Sequence, residues 1–578
     1  MQISKDNVIG IECKNVVYAQ SSDNPRDDLL LVKEVIHTKD GQLHPRLRQI
    51  KNYQRPFYVT KPVWRNHKDK KEAERIEKLQ RFQCNQAELA MKIQLALGER
   101  MANPRKKLKD VCSSPYVYGA DILPTTYLKS KYRDKWADLA SRNKVAVLDT
   151  ERDVVFGTNE TIIVTLTMGE KKYIGIVKWW ADRIANMEGE INSKFKSLLS
   201  KITVSSKDDK DKREPYDVPA IRGDKLIVFT GERPGDIVAE ALRLSHQWMP
   251  DFMAIWNMDY DIPHIIAALE SAGYDPKAEF SDPSVEPEFQ RFWYKQDKLI
   301  KETNSKSISK HPADLWHVVY TTAGYYIIDA MCLFKKIRVA SGNEPDYTLD
   351  GVLSRHVGTQ KLRIPEADQY GGLKWHQVMQ KDFPVEYCVY ALFDCISVEM
   401  LDERTNDIGL TISVLMESSG YDYLPSLPRR VVDVLHNVWE KRGWIPGCVG
   451  ADITSELDDD VVGLDGWICT LNSYCVVKNG LFCISEVPEL QTMFRVQTND
   501  ADILQAYPTG GVISNGSKAT TAIEVIEIEG VDDLTRRRQG INLTGGATNA
   551  VEIAVDLAGC PSFEDWDGLF VEIFKDAA

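Results

Sequence analysis

The hydrophobic pattern changes character near residue 144. From Val145 onwards, three apolar segments, VAVLD, TIIVTLTM and KKYIGIVKWW, follow one another with turn residues between them. Short apolar runs punctuated by turns predict a meander of three β-strands. The segments DKLIVFT, PGDIVAEALRLSHQWM and DFMAIWN then read as strand, helix and strand. This order predicts that the meander continues into an α/β sheet covered by helices.

The flanking regions differ from this central part. Before residue 144, short apolar strands accompany a charged stretch, Lys70 to Glu99, whose apolar positions recur at helical spacing, so we expect an amphipathic helix on a β-rich domain. Later, HVVYTTAGYYIID is predicted as a strand, and Pro384 to Arg404 as a long helix that closes the central region. We therefore expect a mixed α+β chain with domains at 1–143, 144–405 and 406–578.

Composition narrows the class of protein. A length of 578 residues predicts roughly three or four domains, and 43% hydrophobic with 27% charged residues is typical of globular chains. No apolar run reaches the roughly 18 residues of a membrane span, and the N-terminus lacks the apolar core of a signal peptide. Eleven cysteines without a C-x-x-C pair disfavour a zinc site and a disulfide scaffold, and predict a cytoplasmic protein. The net charge of −13 counts against nucleic-acid binding, although local patches of positive charge matter more than the net charge of the whole chain.

The first strand of the meander ends in two acids, Asp149 and Glu151. Side chains two residues apart on a strand lie on the same face, so these carboxylates should converge and repel. A solvated strand end at the surface tolerates such repulsion. A site for a divalent cation does so too, because carboxylate oxygens suit Mg²⁺ or Mn²⁺.

Two further polar sites follow. Asn257 and Asp261 lie where the strand DFMAIWN passes into a helix, where helix capping is an alternative explanation. Tyr390 and Asp394 are four residues apart on one face of the long helix, and could simply form a hydrogen-bonded pair at a domain edge.

Taken in order, D-x-E, N-x-x-Y-D and Y-x-x-x-D resemble the motif set of DEDDy 3′–5′ exonucleases, which have a ribonuclease-H-like fold. The resemblance implies phosphodiester hydrolysis assisted by two Mg²⁺ or Mn²⁺ ions about 3.5–4 Å apart. It also implies that Tyr390 orients the attacking water and that Asn257 supports the site or contacts the substrate strand. The implied metal ligands are Asp149, Glu151, Asp261 and Asp394.

The chain also resembles the family B (α-type) DNA polymerases, especially those of tailed bacteriophages. Ile327 to Leu362 is similar to the family's segment with an Asp, then Y-[ST]-L-D, then a Lys. RVQTNDADILQAYPTGG is similar to the polymerase motif D-x-x-S-L-Y-P, with Q-A in place of S-L. On that match Asp502 is a palm metal ligand and Tyr507 packs under the incoming deoxyribose. Asp500 competes for the metal role, and a strand end followed by a Tyr-Pro turn is the structural alternative.

The family's fingers motif and D-T-D hairpin are not found after Tyr507. We therefore expect the N-terminal subunit or a fragment of a phage polymerase, with a proofreading exonuclease and a partial palm, acting in viral DNA replication in the host cytoplasm. The expected partners are a single-stranded 3′ end, primer-template DNA, a deoxynucleoside triphosphate, and a second polypeptide that carries fingers, second palm aspartate and thumb. The alternatives are a stand-alone 3′–5′ DNA exonuclease and a non-catalytic DNA-binding scaffold subunit.

Overall fold

Strands predominate before the central sheet, and helices predominate after it. The structure is a computed structural model that describes residues 5–450 except 69, 72, 138, 207–211, 224–225, 303–306 and 340–341, together with four strands between residues 475 and 556. Its contacts divide the chain into two compact units, Met1–Gly450 and Ala451–Ala578. The predicted domain boundaries at 143 and 405 both fall within the first unit and stay predictions.

The elements before the central sheet are β1 (Val8–Gln20), β2 (Asp28–Thr38), β3 (Leu43–Lys51), β4 (Arg55–Thr60), β5 (Ala73–Arg75), β6 (Leu79–Cys84), α1 (Leu89–Leu97), α2 (Leu108–Cys112), β7 (Val117–Tyr118) and α3 (Pro124–Lys135). The central elements are β8 (Val145–Arg152), β9 (Thr161–Met168), β10 (Lys171–Val177), α4 (Lys178–Ala181), α5 (Met187–Leu199), β11 (Thr203–Ser205), β12 (Arg213–Pro215), α6 (Pro219–Arg222), β13 (Ile227–Gly231), α7 (Pro234–Trp248), β14 (Phe252–Ile255), α8 (Met258–Ser271), α9 (Pro276–Phe280), β15 (Phe292–Lys295), β16 (Ile300–Glu302), β17 (Ser307–Ser309), β18 (Val318–Thr321) and β19 (Tyr326–Asp329). The later elements are α10 (Ala330–Ile337), α11 (Leu349–His356), α12 (Gly372–Asp382), α13 (Pro384–Thr405), α14 (Ile412–Met416), α15 (Leu427–Lys441) and β20 (Trp444–Pro446). In the second unit, β21 (Cys475–Lys478) pairs with β22 (Leu481–Ile484), and β23 (Thr521–Glu527) pairs with β24 (Ala550–Asp556).

A six-stranded mixed sheet organises the centre of the first unit. Its strand order is β13-β10-β9-β8-β14-β19. Strands β8, β9 and β10 form an antiparallel meander, β14 runs parallel to β8, β19 runs parallel to β14, and β13 runs parallel to β10. Two smaller antiparallel sheets, β1-β2-β3 and β6-β4-β7, precede it in the chain. The prediction of a mixed α/β chain with several sheets is confirmed.

Both faces of the central sheet are buried, because alternate residues of β8 enter two different hydrophobic cores. Val147 packs in the core that contains α13, whereas Ala146 and Leu148 pack in the core that contains α7 and α8. A strand buried on both sides reads as a continuous apolar run, as VAVL does. Because the side-chain period is two, Asp149 and Glu151 follow Val147 towards α13, and Thr150 follows Leu148 towards α8.

The long helix α13 begins at Pro384 as predicted and ends at Thr405, one residue after the predicted end. Proline is accommodated in its first turn because the missing N–H there has no helical partner. Asn406, in the left-handed conformation at φ 58°, ends the helix. Nearly every residue from Tyr387 to Leu401 is buried, so the helix packs on several sides and its polar residues lie in the interior.

Two sequence predictions of elements are wrong. Among the described residues of the stretch Lys70 to Glu99, only Leu89–Leu97 is α-helical, because Leu79–Cys84 instead pairs with β4 as a strand. Helical spacing of apolar residues was overridden there by pairing with a strand distant in sequence. The segment HVVYTTAGYYIID forms two strands, since β18 pairs with β15 while β19 pairs with β14 of the central sheet.

Among the described residues, none of the helices combines the length and the apolar composition needed to cross a bilayer.

Candidate metal and active site

A cleft of about 280 Å³ opens beside the end of β8. We call it the acidic cleft. It collects side chains from β8, α8, α12 and α13 and from the segment between α11 and α12. The polar and aromatic residues that line it are Asp149, Thr150, Glu151, Trp256, Asn257, Tyr260, Asp261, Lys361, His376, Tyr390 and Asp394. All six exonuclease-type residues predicted from the sequence therefore border one cleft.

Three of the predicted metal ligands converge closely. One carboxylate oxygen from each of Asp149, Glu151 and Asp394 lies within 4.8 Å of the others. The strand supplies the first two because they share the α13 face, and the helix supplies the third. Asp394 is 6% exposed, and its Oδ1 has no hydrogen-bond partner. An unpartnered buried carboxylate oxygen beside two other acids is a position that a cation would satisfy.

Asp261 reaches the cleft from the opposite side of the sheet. It lies in the first turn of α8, and its Oδ1 accepts a hydrogen bond of 2.6 Å from Thr150 Oγ1. Thr150 points to this side because it lies between Asp149 and Glu151 in β8. The structure thus brings Asp149, Glu151 and Asp394 into one group. It holds the fourth predicted ligand, the buried Asp261, at the edge of the same cleft.

Asn257 occupies the N-cap position of α8 without capping the helix through its side chain. Asp329, at the end of β19, supplies the acceptor: its Oδ2 accepts from Met258 N at 3.2 Å and its Oδ1 from Cys332 N at 2.8 Å. One buried carboxylate therefore fixes the first turns of α8 and α10. This arrangement leaves the exposed Asn257 side chain available at the cleft.

The electrostatics of the cleft are those of crowded, poorly solvated acids. Burial and the neighbouring carboxylates, Asp261 first among them, raise the pKa of Asp149 well above its ordinary value. Burial raises the pKa of Glu151 to about 8, against a hydrogen bond from Tyr387 that favours the ionised form. Burial likewise raises the pKa of Asp261 to about 7, against the hydrogen bond from Thr150. Such shifts mark groups whose charged form lacks a counter-charge.

Lys361 supplies part of that counter-charge. Its Nζ donates to Asp394 Oδ2 at 2.6 Å and to Tyr390 Oη at 3.0 Å. Burial alone would lower the pKa of this lysine, but Asp394, Asp149 and Glu151 raise it instead. The sequence contained a signal for this residue, the lysine that follows Y-[ST]-L-D, but no role was predicted for it.

Tyr390 belongs to a cluster of three aromatic rings. The Trp375 ring lies 4.7 Å from it, and the Tyr387 ring stacks on it at 5.9 Å with an angle of 8° between the planes. Tyr387 precedes Tyr390 by three residues, one helical turn, and was missed by the sequence reasoning. Its phenol oxygen donates to Glu151 Oε2 at 2.5 Å.

The residues present fit a divalent cation. The donor set is made of oxygen atoms, three carboxylates come within reach of one another, and one buried oxygen is unpartnered. Hard cations such as Mg²⁺ and Mn²⁺ prefer such ligands, which supports the prediction of a metal site. The identity and the number of ions stay predictions.

The predicted palm residues Asp502 and Tyr507 lie outside the described residues, and so does the competing Asp500. The polymerase part of the prediction, with its second polypeptide, therefore rests on sequence alone. No protein-family model matches the chain, and no curated protein matches it either.

Proposed function

We propose that this chain is a metal-dependent 3′–5′ DNA exonuclease with a ribonuclease-H-like exonuclease domain. The observation that carries the proposal is the convergence of Asp149 and Glu151 from β8 with Asp394 from α13. Converging acids repel one another when they are ionised, and a divalent cation between them would relieve that repulsion. The scaffold alternative offers no such relief, since a protein that only binds DNA gains nothing from clustered negative charge.

The central sheet supports the fold part of the proposal. The meander β8-β9-β10 is followed by the parallel strands β14 and β19, and α13 packs across β8 and β9. The motifs fall on this framework in the order that the resemblance implies: D-x-E at the end of the first strand, N-x-x-Y-D after a later strand, and Y-x-x-x-D on the closing helix.

In this proposal Asp149, Glu151 and Asp394 are the ligands of one metal ion. Asp261, at the edge of the acidic cleft, would help to hold the second ion. Bound divalent ions would activate water and stabilise the leaving oxygen of the phosphodiester. The protein provides the surroundings for this chemistry. Lys361 carries a positive charge beside Asp394 that would attract a phosphate, and Tyr390 presents a phenol hydroxyl that is fixed by Lys361 and by ring stacking.

The entrance of the cleft suits the end of a single strand. Asn257 and Tyr260 are exposed there, with 45% of Tyr260 accessible. Aromatic faces stack on bases without regard to sequence, and amides hydrogen-bond to nucleotides. A cleft of about 280 Å³ has the dimensions of a small-molecule site, which fits a terminal nucleotide better than an intact duplex.

The test is digestion of a 5′-labelled single-stranded oligonucleotide with Mg²⁺ or Mn²⁺. We expect a ladder that shortens from the 3′ end, with mononucleotides as products and no activity in a chelator. Asp149→Asn is the matched control, because it keeps the shape of the side chain and removes its charge. Internal cleavage, or the same product yield from Asp149→Asn as from the unaltered chain, contradicts the proposal. So does a folded protein that leaves the oligonucleotide intact.

A further inference from the structure

A chain of hydrogen bonds reaches Glu151 from outside the acidic cleft. Tyr387 Oη donates to Glu151 Oε2 at 2.5 Å, although the two residues are 236 positions apart. Tyr387 is fully buried and belongs to α13, one turn before Tyr390. A carboxylate has two oxygens, so a bond to one of them fixes the orientation of the group and leaves the other for a cation.

Gln380 determines the direction of this bond. Its Oε1 accepts from Val154 N at 3.1 Å, and its Nε2 donates to Arg152 O at 2.6 Å. These two backbone contacts fix which end of the amide is nitrogen. The same Nε2 also donates to Tyr387 Oη at 3.2 Å, so the phenol oxygen accepts from Gln380 and its own proton is left for the 2.5 Å bond to Glu151.

His376 completes the arrangement. Its Nδ1 lies 3.0 Å from Tyr387 Oη and 3.9 Å from Glu151 Oε2. If the phenol proton is given to Glu151, the histidine must donate from Nδ1, which assigns the tautomer with the proton on that nitrogen. Tyr387 then accepts two hydrogen bonds and donates one, which satisfies its hydroxyl group completely.

We propose that Tyr387 is a positioning residue for the metal ligand Glu151, and that Gln380 and His376 hold Tyr387 in turn. This inference rests on the proposed function, since it assumes that Glu151 binds a cation. Partners in the second layer around a metal raise affinity by orienting the ligands before the metal arrives. Without Tyr387, Glu151 would have to be ordered at the time of binding, at a cost in side-chain entropy.

The connection also explains why Gln380 is fully buried. Gln380 lies on α12 and binds the backbone of the strand end at Arg152 and Val154, so it joins this helix to the end of β8. The position of Glu151 is therefore set both through the backbone of the residues that follow it and through its own carboxylate. Both routes pass through α12 and α13, which follow one another directly in the chain.

The experiment measures Mn²⁺ binding to the full chain by electron paramagnetic resonance, in which the signal of free aqueous Mn²⁺ disappears on binding. Tyr387→Phe removes only the hydroxyl group, and we expect the dissociation constant for Mn²⁺ to rise about 10- to 100-fold. Cleavage should fall at limiting Mn²⁺ and recover at saturating Mn²⁺. A loss of folded protein would lower the number of sites instead and would not recover.

Tyr173→Phe is the matched control. Tyr173 is also fully buried and donates its hydroxyl proton to Ile237 O at 2.8 Å, but it lies in the core on the opposite face of the sheet. Its removal should leave the affinity for Mn²⁺ unchanged. An unchanged affinity in Tyr387→Phe as well would overturn the positioning role.

A second pair of variants keeps the inference testable if Tyr387→Phe does not fold. His376→Leu removes a donor to Tyr387 and should weaken Mn²⁺ binding, whereas His376→Asn, with an amide donor near the place of Nδ1, should restore most of it. Equal affinity in both variants contradicts the role of His376 in holding Tyr387. If the unaltered chain neither binds Mn²⁺ nor cleaves DNA, the proposed function fails. If it does both and Tyr387→Phe matches it, only this inference fails.

Discussion

Lys361 Nζ lies 2.6 Å from Asp394 Oδ2, at the point where the acidic cleft is most crowded with carboxylates. Among the described residues that line this cleft, Lys361 is the only lysine or arginine. The ammonium group therefore stabilises the ionised form of the neighbouring carboxylates, Asp394 above all. It also bridges Asp394 and Tyr390, the two residues of the Y-x-x-x-D motif.

This relationship predicts that Lys361 and a divalent cation stabilise the same carboxylates. Lys361→Met should lower the free energy of unfolding of the metal-free protein by about 1–3 kcal/mol, because it leaves a buried acid without its partner. Mn²⁺ should stabilise the variant more than the unaltered chain, since the cation replaces the missing charge. Thermal denaturation with and without Mn²⁺ measures both effects.

The matched control for Lys361→Met is Lys335→Met. Lys335 is also largely buried and pairs with Asp314 at 2.7 Å, in a different part of the unit. Its loss should destabilise the protein equally with and without Mn²⁺. An equal response of the two variants to Mn²⁺ would mean that Lys361 and the metal do not share ligands.

The second prediction concerns the strand acids. Replacement of Asp149 and Glu151 together by alanine should reduce the rate of cleavage by more than roughly 100-fold. A loss of roughly 100-fold is the most expected when a residue that only hydrogen-bonds to a metal ligand is removed. Without metal the double variant should be at least as stable as the unaltered chain, because two repelling acids have gone. Activity assays and denaturation in a chelator are the measurements. A strongly destabilised, partly active double variant is the opposite result and would point to a structural role.

The third prediction is that Tyr390 has a different role from the proposed metal ligands. Tyr390→Phe keeps the ring contacts with Trp375 and Tyr387 and removes only the hydroxyl group, so metal binding should be retained. The rate of cleavage should fall by no more than about 100-fold, the size of a positioning defect. Rates at saturating Mn²⁺ provide the comparison. A loss as large as that of the Asp149 and Glu151 double variant would contradict the division of roles.

The fourth prediction is a pH dependence of stability from Glu399, which lies one turn beyond the acidic cleft on α13. Burial raises the pKa of Glu399 to about 8 from an ordinary 4.5, although Thr167 Oγ1 and Gly169 N donate to its carboxylate. Between these two pH values the folded state binds a proton that the unfolded state releases. The stabilisation that Glu399 gains from this proton is therefore complete below about pH 4.5 and is lost as the pH rises through about 8.

Glu399→Gln removes this ionisation and keeps the polar group. The melting temperature of Glu399→Gln relative to the unaltered chain should therefore rise from pH 5 to pH 9. Measuring the difference between the two proteins cancels the other titrating groups. A difference that stays constant over this range would show that Glu399 ionises normally in the folded protein.

Local pattern in the sequence determined the elements that carry the site. The apolar run before Asp149 is short and the apolar stretch around Tyr390 is long, so run length separates the strand β8 from the helix α13. The period of two in a strand also determined that Asp149 and Glu151 share a face. The spacing of four in a helix did the same for Tyr390 and Asp394. These relations are local, and local sterics and burial decide them.

Only the tertiary structure decided which distant groups meet. Leu79–Cys84 became a strand because β4 offered a partner, although its spacing favoured a helix. Thr150 holds Asp261 across the sheet, Lys361 compensates Asp394, and Tyr387 orients Glu151 over 236 residues. Each of these contacts depends on the packing of α8, α12 and α13 around the end of β8. Periodicity reports which face a residue lies on, but it carries no information about the element that will cover that face.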